Sequence, residues 1–293
     1  MFESGSILTV MGLLPANNGV HMTSAMPVPG TMLPLLSQVV AATYTFTEFM
    51  TVVPSTKPAT LSPTRTKSII ELGAAEWVKV GPETSPGTAI FSISGNVVRP
   101  GNYELELGTP MRELIYELAG GIPAGRELKA VIPGGSSVPA LTPDQIDVPL
   151  DYDSLGALGT FFGAASLIVV DDSCCMVQLA LRSTKFYMHE SCGKCTPCRE
   201  GTRWMVQLLE KIEAGDATLE DVELLRSVCD RILGKSLCAL GDFAVYPVAS
   251  YMKHWGDEFT AHVEQGGCPF DGESTLVGIV APSDAHAHAE VHA

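Results

Sequence analysis

Cys192-Gly193-Lys194-Cys195-Thr196-Pro197-Cys198 decides how the chain is read, because it sets three thiols on one short loop with C-x2-C-x2-C spacing. A fourth cysteine, Cys238, follows at a distance. Such a loop aims its sulfurs at a common centre, with Gly193 letting the backbone pass close by and Pro197 stiffening the run. Three clustered cysteines plus one distant cysteine can hold a [4Fe-4S] cubane, one thiolate per iron. Structural zinc is the competing reading, although its usual pattern is two separated C-x2-C knuckles or cysteines mixed with histidines. A plain disulfide pair fits least, since there is no even framework of spacings.

Helices are expected on both sides of the loop. Ser173 to Tyr187 reads as a helix feeding into it, with Cys174 and Cys175 inside as core or surface thiols, because adjacent residues on a helix face different ways. Beyond the loop, Trp204, Met205, Leu208, Leu209 and Ile212 form an apolar stripe ending at Gly215. Thr218 with Asp221 three residues on is a variant of the capping box, opening a helix buried through Val222, Leu225, Val228, Cys229 and Ile232. Cys229 is therefore assigned to the core. Gly234 ends that helix, Cys238 sits in the following turn, and a last helix is expected from about Pro247 to Val263. Cys268, in Gly267-Cys268-Pro269, competes as fourth ligand. Cys238 is preferred because its turn belongs to the bundle, whereas Cys268 lies beyond it. The predicted metal ligands are Cys192, Cys195, Cys198 and Cys238.

Upstream, the pattern changes from helical to mixed. Thr88 to Gly95 alternates as a half-buried strand, and Arg99-Pro100-Gly101 turns into a second strand, Asn102 to Leu107. Thr109-Pro110 reads as a capped helix start, with Leu114, Ile115 and Leu118 on one face and a stop at Gly120-Gly121. Strands Lys129 to Ile132 and Ser166 to Val170 complete a β-grasp sheet over one helix. Gly134-Gly135 is a plain turn, since no dinucleotide or P-loop pattern surrounds it. The expected fold class is α+β: a β-grasp (ubiquitin-like) domain followed by an all-α, four-helix-type cluster domain. Expected boundaries are 1–66 for a poorly patterned, disordered leader, 67–86 for a short helix (Ser68 to Val78) and linker, 87–172 for the β-grasp domain, 173–273 for the helical domain and 274–293 for a disordered tail. The leader is rich in Met, Thr and Pro with few charges, and one short strand is expected near Thr43 to Val53. The tail carries His286, His288 and His292 alternating with alanine; a disordered end is favoured over metal binding.

Across 293 residues, 18 Lys and Arg stand against 33 Asp and Glu, a net charge of −15 that argues against nucleic-acid or anionic-membrane partners. Eight cysteines in a chain of this length suit a reducing compartment. The apolar run Thr31 to Met50 is broken by Pro34, and Ile7 to Leu14 lacks a basic flank, so neither a span nor a secretory signal is expected.

His189-Glu190-Ser191-Cys192-Gly193-Lys194-Cys195-Thr196-Pro197-Cys198-Arg199-Glu200-Gly201-Thr202 resembles the cluster loop of the NADH-binding flavoprotein subunit of respiratory complex I (NADH:quinone oxidoreductase). Related subunits of NAD-reducing hydrogenases and NAD-dependent formate dehydrogenases share it. Ser236-Leu237-Cys238-Ala239-Leu240-Gly241-Asp242 is similar to the segment giving that family's fourth ligand, and Phe91-Ser92-Ile93-Ser94-Gly95 through Gly120-Gly121 resembles its β-grasp domain. The resemblance runs from about Ser68 to Gly272. It implies that Cys192, Cys195, Cys198 and Cys238 bind one [4Fe-4S] cluster taking electrons from reduced FMN, with Ala239 and Leu240 close to the flavin. Lys194, and secondarily Arg199 and Arg203, would partly offset the cluster's negative charge. The family holds FMN and NADH with a G-R-G-G-A-G-F-P loop that has no counterpart in this sequence, so FMN and NAD are expected by resemblance alone and not as ligands of this chain. Implied partners are a thioredoxin-like 2Fe-2S subunit and a large iron–sulfur subunit, on the cytoplasmic face of the inner membrane. A non-redox scaffold with structural zinc in the same cysteines is the alternative of a different class.

Overall fold

A computed structural model describes residues 70–270, apart from Leu72. The expected leader, its strand and the histidine-bearing tail lie outside the described residues. The described part opens with α1 (Ala74–Trp77) and continues as a four-stranded mixed sheet: β1 (Thr88–Gly95), β2 (Gly101–Glu106), β3 (Leu128–Ile132) and β4 (Ser166–Asp171). Strand order is β2-β1-β4-β3, with β1 antiparallel to β2 and parallel to β4, and β3 antiparallel to β4. One helix, α2 (Glu113–Leu118), lies under this sheet, which gives the β-grasp arrangement expected from the sequence. Leu114 and Ile115 are fully buried with Phe91, Ile93, Val131, Leu167 and Val169, the residues that alternate onto one face of the strands.

Thr109 does not cap α2 through an accepting hydroxyl: its Oγ1 donates to Glu106 O at 2.7 Å, and no side chain caps the helix. The turns of α2 are wide, with Ala119 N–H reaching Leu114 O, five residues back, which lets the helix close onto Gly120-Gly121. Of the helix expected over Ser68 to Val78, Ser68, Ile69 and Leu72 lie outside the described residues; Ile70, Glu71 and α1 are helical, no residue of α1 is buried, and Ile70 and Val78 are exposed.

After a short helix, α3 (Tyr152–Ala157), and β4, the chain forms α4 (Met176–Glu190), α5 (Thr196–Glu213), α6 (Leu219–Ile232) and α7 (Leu240–His254). Each packs on the next and α7 returns to α4, an up-and-down bundle, while α8 (Gly256–Gln265) touches all four. Thr218 and Asp221 form the reciprocal capping box at the start of α6. Other details differ from the sequence reading. Cys174 and Cys175 precede α4 rather than lying in it. Pro197 occupies the first turn of α5, where a missing N–H costs nothing. Trp204 is 54% exposed and leaves the buried stripe to Met205, Leu208, Leu209 and Ile212. The last helix is two: Pro247 lies inside α7, and the chain breaks at Trp255.

The sheet's other face rests on the bundle. Ala130, Ile132 and Val170 share a core with Met176, Leu209, Leu225 and Tyr251. Lys129 Nζ pairs with Glu258 Oε1 at 2.5 Å, and Ala140 N–H donates to Ser250 Oγ at 3.0 Å across the same junction. Among the described residues, no helix is long and apolar enough to cross a membrane.

Candidate metal centre

Because the helices run up and down, the α4–α5 loop and the α6–α7 turn lie at the same end of the bundle. The first carries Cys192, Cys195 and Cys198; the second carries Cys238. The chain leaves α4 at Ser191 and swings through Gly193, whose φ of +69° is the left-handed conformation that side chains resist. That conformation, rather than close backbone approach, is what Gly193 supplies: a Cβ there would meet nothing nearer than Arg199 Cδ at 3.7 Å. Gly201 has the opposite role, since a Cβ on it would come within 2.5 Å of Ile232 Cγ1. Its absence lets α5 and the end of α6 approach, which brings the Cys238 turn over the loop.

Two helix starts converge on the thiols. Cys195 is the N-cap of α5, Cys198 lies in its first turn, and Cys238 directly precedes Ala239, the N-cap of α7. The positive ends of both helices favour thiolates at these positions. Leu237 N–H donates to Cys195 Sγ at 3.5 Å, linking the two segments. This donor holds the Cys195 thiol below its ordinary range, with burial opposing it. Burial pushes the Cys198 thiol up, the Ser191 hydroxyl counteracts this, and repulsion from Cys195, Cys238 and Cys192 adds to the rise. Cys198 thus senses all three of the other cysteines. It is buried, Cys195 is half-buried, and Cys192 and Cys238 are exposed at the rim.

Four thiols, two helix N-termini and an N–H directed at a sulfur suit a compact anionic group, and the donor set fits a [4Fe-4S] cluster. Ser191, missed in the sequence, braces the loop: its Oγ lies 3.2 Å from Cys198 Sγ and accepts from Gly193 N–H at 3.3 Å. Arg199 Nη1 donates to Gly193 O at 2.8 Å and its Nε to Glu200 Oε1, so this guanidinium holds the loop's shape. Lys194 and Arg203 are exposed.

The other cysteines separate cleanly. Cys174 and Cys175 are buried, and Cys229 is buried with its thiol pushed up to about 12 by loss of solvent. Cys268 packs against the far end of the bundle near Glu213 and not beyond it as expected. Cys198 and Glu213 are fifteen residue steps apart along α5, roughly 22 Å at 1.5 Å per residue, so Cys268 is out of reach of the cysteine loop.

Residues 178–262 match the family described as "NADH-ubiquinone oxidoreductase-F iron-sulfur binding region", a span that includes Cys192, Cys195, Cys198 and Cys238 but not Cys268, and residues 90–139 match the SLBB domain. The chain is 51% identical over 209 residues to the F subunit of NADH-quinone oxidoreductase in Mycobacterium bovis, covering 71% of this chain and 47% of that protein. It is 47% identical over 204 residues to the corresponding protein of Streptomyces coelicolor, covering 70% and 45%. Among solved structures, an NAD+-reducing [NiFe]-hydrogenase in the air-oxidized state aligns with a TM-score of 0.60 and 31% identity over 68% of this chain and 34% of that one. The chain spans about half the length of the curated relatives it matches. It thus matches an SLBB domain and the iron–sulfur binding region named above, and it is similar to about half of an NADH-quinone oxidoreductase F subunit.

Proposed function

We propose that this chain is the electron-transfer part of a complex I-type NADH-binding subunit, with Cys192, Cys195, Cys198 and Cys238 holding one [4Fe-4S] cluster. When bound, the cluster supplies a one-electron carrier for electrons that FMN takes from NADH in the assembled enzyme. The observation that carries the reading is the meeting of the Cys238 turn with the cysteine loop through Leu237 N–H and Cys195 Sγ. Within the chain, Leu237 N–H and the starts of α5 and α7 stabilise thiolates, Ser191 and Arg199 fix the loop, and Lys194 adds positive charge at the rim.

The domain division at about residue 172 belongs to the same proposal, as does assembly with a thioredoxin-like 2Fe-2S subunit and a large iron–sulfur subunit on the cytoplasmic face of the inner membrane. Support for docking comes from Trp204, Leu224 and Leu237, which stand exposed on or beside the α5–α6 groove and the cluster end. The structural likeness to an NAD+-reducing hydrogenase favours a second reading, the equivalent subunit of such an enzyme.

The test compares Cys238→Ser with Cys268→Ser in anaerobically prepared protein. Cys238→Ser should lose the cluster's visible absorption or leave a three-iron form, and Cys268→Ser should keep it. The reverse pattern would overturn the ligand set.

A further inference from the structure

At the opposite end of the bundle, four side chains of another kind meet. Cys175 caps the start of α4, Glu213 closes α5, His262 lies in the last turn of α8, and Cys268 follows the reversal at Gly266-Gly267. Their ligand atoms all lie within 4.8 Å of one another. Cys175 Sγ and Glu213 Oε2 each stand 3.3 Å from His262 Nε2. Cys175 and His262 are fully buried, and the Glu213 side chain is 22% exposed.

The protons in this cluster are arranged as around a cation. His262 Nδ1 is 2.6 Å from Glu258 O, and a carbonyl only accepts, so Nδ1 carries the proton and donates it. In the neutral ring that binds a metal, Nε2 then presents a lone pair to the cluster. This is how a metal-binding histidine is fixed by its other ring nitrogen. Glu213 Oε2 is buried without a hydrogen-bond partner, with His262 Nε2 3.3 Å away; with the ring neutral, two acceptors face each other. Such an arrangement is costly unless something positive lies between them.

Supporting contacts resemble a second coordination sphere. Gln178 Nε2 donates to Glu213 Oε1 at 2.7 Å and to Cys268 Sγ at 3.6 Å. Gly266 and Gly267 adopt φ of +71° and +152°, and a Cβ on Gly215 would come within 2.0 Å of the Gly266 carbonyl carbon, so the reversal is seated directly on the end of α5. Two sulfurs, one imidazole nitrogen and one carboxylate oxygen suit tetrahedral zinc, whose bonds of about 2.0–2.3 Å require ligand separations of roughly 3.3–3.8 Å. The cluster needs only a small contraction to reach them. Cys175 and Cys268 both fall outside the matched iron–sulfur region.

We propose that Cys175, Glu213, His262 and Cys268 form a second metal site, a structural one that takes a single zinc ion and staples the chain after α8 to the start of α4 and the end of α5. Four protein ligands leave no open position, so the site serves the fold and not catalysis. Binding would release the protons of both thiols to solvent.

The test uses the full, cluster-loaded chain, treated anaerobically with a chelator and then titrated with Co2+ as the probe. One equivalent should give a thiolate-to-cobalt charge-transfer band and the intense visible bands of a tetrahedral ion, both abolished by one equivalent of zinc. His262→Asn and Cys268→Ser should weaken cobalt binding at least tenfold, and Gln178→Leu by about 10–100-fold, with iron and sulfide content unchanged. Cys238→Ser should leave the cobalt spectrum intact, which separates this site from zinc in the other cysteines. The proposal is overturned if the wild-type chain shows no tetrahedral cobalt spectrum, an outcome independent of any variant. It is equally overturned by a spectrum that survives in His262→Asn and disappears in Cys238→Ser.

Discussion

Replacing Lys129 with Met tests how the β-grasp sheet is held on the helical bundle. Lys129 Nζ lies 2.5 Å from Glu258 Oε1 and 2.5 Å from Cys174 O, while Glu258 Oε2 accepts from Met176 N–H at 3.0 Å. One strand, the approach to α4 and the start of α8 therefore meet at a single ion pair. The side chains are only 10% and 17% exposed, so solvent screens them weakly. Met preserves most of the aliphatic stem and leaves the Glu258 carboxylate without its cation. Removing one partner of a buried pair costs about 3–5 kcal/mol, chiefly because the other charge stays buried. Lys129→Met should then lower stability by about 3 kcal/mol, the lower end, since Glu258 keeps the Met176 amide. Glu258→Gln retains an acceptor for that amide, and the double variant should recover part of the loss. The assay is urea denaturation of the wild type, both single variants and the double variant at equal iron content, followed by circular dichroism. Coupling of about 1–3 kcal/mol is expected. Additive single effects would refute the idea that this pair clamps the two layers.

Four further outcomes are expected. Thr218→Ala should cost about 1 kcal/mol of stability by removing the N-cap of α6. Asp221 in that box is held near a pKa of about 2, from an ordinary 3.8, first by the Lys211 hydrogen bond and then by Thr218. A depressed carboxyl stabilises the fold above its unfolded pKa, so its share should be intact above pH 3.8 and decline as pH falls towards 2; acid titrations of wild type and Asp221→Asn read this difference. Gly193→Ala must adopt a left-handed φ at a cost of about 1–2 kcal/mol, and should reduce the iron retained per chain after gel filtration. The 293-residue chain supplied with free FMN should show no NADH oxidation in a spectrophotometric assay, while dithionite should bleach its visible absorption.

What depends on short-range pattern is plainest in the sequence. Alternation in Thr88 to Gly95 marks β1, the Thr218–Asp221 pair marks the start of α6, and thiol spacing marks the cysteine loop. Pairing of Cys238 with that loop is legible because two helical connections of an up-and-down bundle fall at one end. Long-range effects are not legible. Trp204 has the spacing of a core residue but stands on the rim of the α5–α6 groove, a small difference in angle around the helix. Pro247 suggests a helix start, yet it lies inside α7, where its restricted φ is tolerated within a buried helix. The cluster of Cys175, Glu213, His262 and Cys268 draws on three separate elements and the segment after α8, and no local spacing announces it. Cys268 stands out in the sequence only through its glycine and proline neighbours, which suggest a place beyond the bundle. The reversal at Gly266-Gly267 that returns it to the end of α5 is a tertiary contact.

The cysteines at the α4–α5 loop and the α6–α7 turn are proposed to hold an electron-carrying cluster. Iron and acid-labile sulfide, measured on anaerobically purified chain together with the electron paramagnetic resonance spectrum after dithionite reduction, test it most directly. The expected result is about four irons and four sulfides per chain and a paramagnetic reduced state. Zinc bound at these same cysteines, with no sulfide and no signal on reduction, would contradict it.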